Sequence, residues 1–97
     1  MAAYVVNEIW VTEPERFSTY AQQVPPTLAA YGGRYVVRSG ASKVIEGDPP
    51  ARVVILEFPD RAAALAWRSS SAYQAILPIR DATSTSRVYV IDGYQAP

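Results

Sequence analysis

The side chains behind most enzymatic proton and metal chemistry are missing from this sequence, which has no histidine and no cysteine. Imidazole bases, haem ligands, thiolate nucleophiles and most zinc chemistry are thereby removed. Carboxylates, phenols and guanidinium groups remain. Glu8 lies inside the β-branched run Ala3 to Val11, Glu57 inside Arg52 to Phe58, and Arg38 near the end of Arg34 to Ser39. Period-two alternation in strands assigns all three to one sheet face. Two carboxylates on adjacent strands can work as general acid and base, one pKa being raised by burial and by the other's charge. The same trio also reads as a structural ion cluster, and the residues alone do not choose between the readings. Tyr4 and Trp10 share the register of Glu8 and are candidate substrate contacts. Tyr73, just after a helix start, can pack its ring while its hydroxyl reaches a cavity. Arg80 is a candidate for a substrate carboxylate, or else a structural partner of Glu57, Asp81 or Asp92.

Other classes of site are weaker. Gly32-Gly33 closes a helix instead of opening one and lacks the lysine and hydroxyl residue of a phosphate loop. No spacing implies a metal site, and no cofactor is expected. The nine acids and nine bases cancel, and the eight arginines are scattered among acids, which argues against nucleic acid as a partner. The longest apolar run, Ala62 to Trp67, is six residues, against the roughly 20 that a membrane helix needs. Met1-Ala2-Ala3 leads into Tyr4-Val5-Val6 without a basic leader, so a cytoplasmic location is the expectation. At 97 residues with 49% hydrophobic composition, one domain spanning residues 1–97 is expected.

The positioning elements follow from periodicity and punctuation. Ala3 to Val11 is the first strand. Thr12-Glu13-Pro14-Glu15 matches a capping box and opens a helix with the stripe Phe17, Tyr20, Ala21, Val24, Leu28 and Tyr31. Pro25-Pro26 predicts a kink, and Gly32-Gly33 the end. Arg34 to Ser39 is the second strand, with an optional extension through Lys43 to Glu46, and Arg52 to Phe58 is the third. Asp60 caps a helix over Arg61 to Trp67. Ser71-Ala72-Tyr73-Gln74 opens a short helix to about Leu77, and Pro78 starts another segment to about Thr83. Arg87 to Asp92 is the last strand. Strand, helix, strand, strand, helix, strand is the ferredoxin-like βαββαβ plan, an α+β fold with a four-stranded antiparallel sheet carrying its helices on one face.

Several segments resemble a known family: Tyr4-Val5-Val6 with Val11-Thr12-Glu13-Pro14-Glu15, Val24-Pro25, Tyr31-Gly32-Gly33-Arg34-Tyr35, Glu46-Gly47, Leu56-Glu57-Phe58-Pro59, Ala66-Trp67, Ser71-Ala72-Tyr73-Gln74 and Arg80. Together they span nearly the whole chain and resemble domain of unknown function 1330. That resemblance implies a dimeric α+β barrel, in which two ferredoxin-like protomers press their sheets together. Relatives implied by it include cofactor-independent monooxygenases, muconolactone isomerases and haem enzymes, but the usual haem ligand, histidine, cannot be supplied here. The expected function is a cofactor-independent enzyme acting on a small apolar or aromatic oxygenated metabolite in a cavity between sheet and helices. The alternative is a non-catalytic dimeric binding or assembly module.

Alternation supports the dimer independently. Val5, Asn7, Ile9 and Val11 are expected to face the helices, leaving Tyr4, Val6, Glu8 and Trp10 on the open face. Val54, Leu56 and Phe58 likewise face inward, and Val53, Ile55 and Glu57 outward. In the second strand Tyr35 and Val37 are expected inward, with Arg34, Val36 and Arg38 on the open face. The fourth strand is ambiguous, because Val88 and Val90 are as apolar as Tyr89 and Ile91. An open face of about 400 Å² with this composition is as large as monomers usually expose, so a homodimer through the sheet is expected.

Overall fold

The computed structural model describes residues 1–97. Its strands are β1 (Ala3–Val11), β2 (Arg34–Arg38), β3 (Arg52–Phe58) and β4 (Ser84–Asp92). They form one sheet in the order β2-β3-β1-β4, every pair antiparallel. Helices α1 (Pro14–Gln23), α2 (Pro25–Leu28), α3 (Arg61–Ser69) and α4 (Ser71–Thr83) complete the ferredoxin-like fold. No helix is long and apolar enough to cross a membrane.

The faces of β1 alternate as its sequence expects. Ala3, Val5, Asn7 and Ile9 are buried, whereas Tyr4, Val6 and Glu8 are half-buried and Trp10 is exposed. Core packing joins Val5, Ile9, Leu56 and Phe58 of the sheet to Phe17, Tyr20, Leu28, Trp67, Tyr73 and Ile76 of the helical layer. Burial of each such large apolar side chain contributes about 1.5–3 kcal/mol, so this layer carries most of the fold's stability. In β4, Val88 and Val90 pack against the core, while Tyr89 and Ile91 are exposed on the other face. The ambiguity of the fourth strand is resolved in that sense.

The helix ends depart from the sequence reading in two places. Thr12 does not cap α1; the amides of Thr12 and Glu13 instead donate to the carbonyl of Thr83, at 2.8 and 3.2 Å. The backbone of α4's end has displaced the side-chain cap. At α4 the cap is Ser70, one residue before the expected box, with its hydroxyl accepting from the Tyr73 amide. Gln74 donates to the Arg68 carbonyl instead. Helix α4 also runs unbroken through Pro78, so the expected division there is corrected. Its buried positions Tyr73, Ile76, Arg80 and Thr83 follow one helical face, and packing of that face outweighs the loss of one amide.

The last strand starts at Ser84, three residues before the expected Arg87, whereas the other helix signals behave as expected. Pro25 separates α1 from α2, and Asp60 caps α3 by accepting from the Ala63 amide at 2.7 Å. A single 3-10 turn, Ala29–Tyr31, ends at Gly32 in the left-handed conformation, φ 70°. Beside it Gly33 touches β3 so closely that a Cβ would lie 2.6 Å from the Phe58 ring. The lack of a side chain at Gly33 is what lets the helical layer turn back onto the sheet.

Strand β2 contains the feature that matters most for the site. Tyr35 pairs with Leu56 and Val37 with Ile55, so Val36 is an extra residue, a β-bulge. Beyond it Arg38 pairs with Val54. The inserted residue inverts the alternation, which puts Val37 on the open side and Arg38 on the helix side. The strand stops at Arg38, and residues 39–51 form an irregular connection without the optional strand at Lys43 to Glu46. That connection is tied at its base by the Ser39 amide donating to Val53.

Candidate functional site

The trio of Glu8, Glu57 and Arg38 is not brought together. Glu8 sits on the open face, where it accepts from Arg87 at 2.6 Å and from the Tyr89 hydroxyl at 2.7 Å. The Tyr89 hydrogen bond, followed by that of Arg87, holds the Glu8 carboxyl below its ordinary range, and the same contact raises the Tyr89 phenol. Glu57 is paired separately, with Arg34 directly across the β2–β3 ladder. Arg38 has been carried through the sheet by the bulge and lies over the Tyr35 ring, 4.6 Å from its centre. The expected acid–base pair is therefore two independent carboxylate–arginine pairs on the open face, with the third member on the opposite side.

Of the expected substrate contacts, Tyr4 and Trp10 lie on the open face, the Arg87 guanidinium 5.3 Å from the centre of the Trp10 ring. Tyr73 and Arg80 are buried under the helices, only 1% and 5% exposed. Arg80 approaches Asp81, one of its three expected partners, at 3.5 Å.

A concave site lies on the helix side of the sheet. A cavity of about 260 Å³ runs between β1, β2 and β3 below and α1 above. Aliphatic and aromatic side chains dominate its wall, among them Ile9, Phe17, Val24, Val54, Leu56 and Trp67. Arg38 and Ser39 are its exposed lining residues, with Arg52 half-buried beside them, and these form the mouth.

Polar groups enter this wall at few points. Asn7 is buried in an otherwise aliphatic register of β1, and its amide nitrogen donates to the carbonyls of Val5 and Val54, at 3.3 and 3.1 Å. Both donors are thus turned to backbone, which leaves the side-chain carbonyl as the acceptor offered to the cavity. The Tyr20 hydroxyl lies 2.8 Å from that of Tyr73, which in turn is 3.5 Å from an Arg80 nitrogen. Arg80 can only donate, so Tyr73 accepts from it. With Tyr73 donating its hydroxyl hydrogen to Tyr20, the Tyr20 hydroxyl hydrogen is the one free for the cavity that this residue lines. Burial, reinforced by Tyr73, raises the Tyr20 pKa, and burial raises that of Tyr35. Both tyrosines stay neutral in ordinary buffers. As neutral phenols they can offer a hydrogen-bond donor to the cavity and are not available as phenolate bases.

The sequence reading missed Asn7, Tyr20, Tyr35 and Arg52 as site residues. A signal existed for Asn7, the one strongly polar residue on the inward face of the first strand. Tyr20 and Tyr35 were hidden among apolar stripes, where an aromatic ring is explained by packing alone.

The model of the family described as domain of unknown function (DUF1330) matches residues 2–94. No curated protein matches the sequence. Among solved structures, the RPA0582 protein of unknown function from Rhodopseudomonas palustris superposes with a TM-score of 0.80 at 17% identity, over 98% of this chain and 84% of its own. SnoaB, a cofactor-independent oxygenase from Streptomyces nogalater, gives 0.71 at 19% identity, over 98% and 95%. A putative antibiotic biosynthesis monooxygenase from Nitrosomonas europaea gives 0.60 at 12% identity, over 94% and 89%. At these identities the likeness is one of fold.

Proposed function

Because this chain belongs to the family described as domain of unknown function 1330, which names no reaction, we propose its function from its own cavity: a cofactor-independent enzyme acting on a small apolar or aromatic oxygenated metabolite. The observation that carries this reading is the cavity of about 260 Å³ between sheet and helices, apolar except for Asn7, the tyrosine hydroxyls and the mouth. It is slightly smaller than the roughly 300–1,000 Å³ of drug-sized sites, which suits a molecule of one or two rings. The description of SnoaB as a cofactor-independent oxygenase supports the same direction.

The wall holds no carboxylate or imidazole, and its phenols stay protonated. A substrate that ionises easily, such as an acidic phenol or enol, is therefore required. Tyr20 donates to the developing oxyanion, Asn7 orients the substrate through its carbonyl, and Phe17, Leu56 and Trp67 exclude water. An oxygenation then draws its electrons from the substrate anion, with dioxygen as acceptor.

The test is oxygen uptake and product analysis against polyphenols, with lactone isomerisation followed in parallel. Turnover above background that falls at least about tenfold in Asn7→Ala would support the reading. Saturable binding without turnover would replace it by the non-catalytic module.

The open sheet face is proposed to be covered by a second copy of this chain. Trp10, Val36, Tyr89 and Ile91 are exposed there or at its edge, and the carboxylate pairs of Glu8 and Glu57 would fix registry between the sheets. In this role those glutamates are structural.

A further inference from the structure

We propose that the cavity takes an organic carboxylate, a flat apolar acid whose ring lies between α1 and the sheet and whose carboxylate is gripped at the mouth by Arg38 and Arg52. The inference rests on reading this cavity as the binding site and adds the charge and orientation of what it binds.

The first ground is an imbalance of charge. Of the eight arginines, Arg16, Arg34, Arg61, Arg80 and Arg87 each lie within 3.5 Å of a carboxylate oxygen. Arg38, Arg52 and Arg68 have no such partner; Arg68 lies over Tyr73, and the other two line the cavity. No acidic residue lines it to compensate them. The chain is neutral as a whole, so this mouth is a local surplus of positive charge.

Geometry is the second ground. Arg52 pairs with Ile9 across the ladder and Arg38 with Val54, so both project to the helix side as diagonal neighbours on adjacent strands. Each guanidinium carbon lies over an aromatic ring of the same cavity, Arg38 over Tyr35 at 4.6 Å and Arg52 over Phe17 at 5.0 Å from the ring centre. The ring contact anchors each guanidinium while neither donates a side-chain hydrogen bond within the protein, and a planar fork with free N–H groups matches a carboxylate. With Val36 taken up as a bulge, Arg38 pairs with Val54 on the helix side; in an unbulged strand of the same sequence it would stand on the open face.

Isothermal titration of the wild-type protein with 2-naphthoate and with its neutral counterpart 2-naphthamide tests the proposal. The acid is expected to bind about tenfold or more tightly than the amide, the difference made by charge-assisted hydrogen bonds. Arg38→Gln combined with Arg52→Gln should bring the acid down to the affinity of the amide and leave the amide unchanged. Arg38→Lys should retain part of the preference, since the charge survives without the fork. Equal binding of acid and amide by the wild type would overturn the carboxylate inference while leaving the cavity as the binding site. Binding of neither would overturn both. A preference that persists in the double variant would place the anion elsewhere and overturn it as well.

Discussion

Tyr20 is the residue in which packing and chemistry are hardest to separate. Its ring belongs to the core, and its hydroxyl closes the chain of hydrogen bonds that starts at Arg80. A phenol whose folded pKa is raised stabilises the fold fully below its unfolded value, near pH 10, and that contribution is lost as pH rises through the folded pKa. Tyr20→Phe is expected to lower stability at pH 7 by about 1 kcal/mol, the worth of one neutral hydrogen bond. It should also flatten the decline in stability above pH 10. Urea melts from pH 7 to 11 read both effects, and an unchanged alkaline limb would show that Tyr20 does not titrate with unfolding. Little of this was legible beforehand. A tyrosine at a stripe position announces burial but not the partner of its hydroxyl, because Tyr73 lies far away in sequence. Glu8 is a similar case: its side of the strand could be read from Tyr4, Val6 and Trp10, but its partner Arg87 stands on the one strand whose faces were equally apolar.

At the scale of elements, the order of strands and helices was legible because local signals agreed: proline at Pro25, the Asp60 cap, and glycines after the 3-10 turn that follows α2. Where several residues offered the same signal, the reading slipped. Three consecutive serines, Ser69 to Ser71, span the junction of α3 and α4, and Ser70 is the one that caps. The bulge could not be read at all, since Tyr35, Val36 and Val37 suit a strand in either register. That Val36 is a true insertion, with the flanking register independent of it, can be tested by deleting it. Deleting Val36 leaves Tyr35 opposite Leu56 and Arg38 opposite Val54, so the variant should fold with a stability change within about 2 kcal/mol and keep Arg38 at the cavity. Urea denaturation gives the first quantity and naphthoate titration the second. Collapse of the fold on deletion would show that the local twist produced by Val36 is itself required.

The whole molecule is a slab with principal extents of 42 × 38 × 17 Å, one helical layer on one sheet. A sheet covered on one side only leaves Trp10, Tyr89 and Ile91 facing outward, Trp10 at 37% exposure and the other two at 45% and 52%. Sedimentation at micromolar concentration is expected to give twice the chain mass. Trp10→Asp should shift the protein to monomers, because truncating an interface anchor costs about 2 kcal/mol or more and a charge there adds desolvation. A variant that remains dimeric would place the interface on another surface.

The connection of residues 39–51 touches both sides of this slab. Its ends, Ser39 with the adjoining Arg38 and Arg52, frame the cavity mouth, whereas Glu46, Asp48, Pro49 and Pro50 rest beside Val6, Glu8, Arg87 and Tyr89 on the open face. A partner sheet arriving on that face would press on the middle of the same segment whose ends hold the guanidinium groups. Self-association and ligand capture then share one mechanical element, and thermodynamic reciprocity requires that whatever one event does to the other is returned in equal measure. The apparent affinity for an acid would vary with protein concentration, and the monomer–dimer constant would vary with the acid by that same factor once for each of the dimer's two cavities.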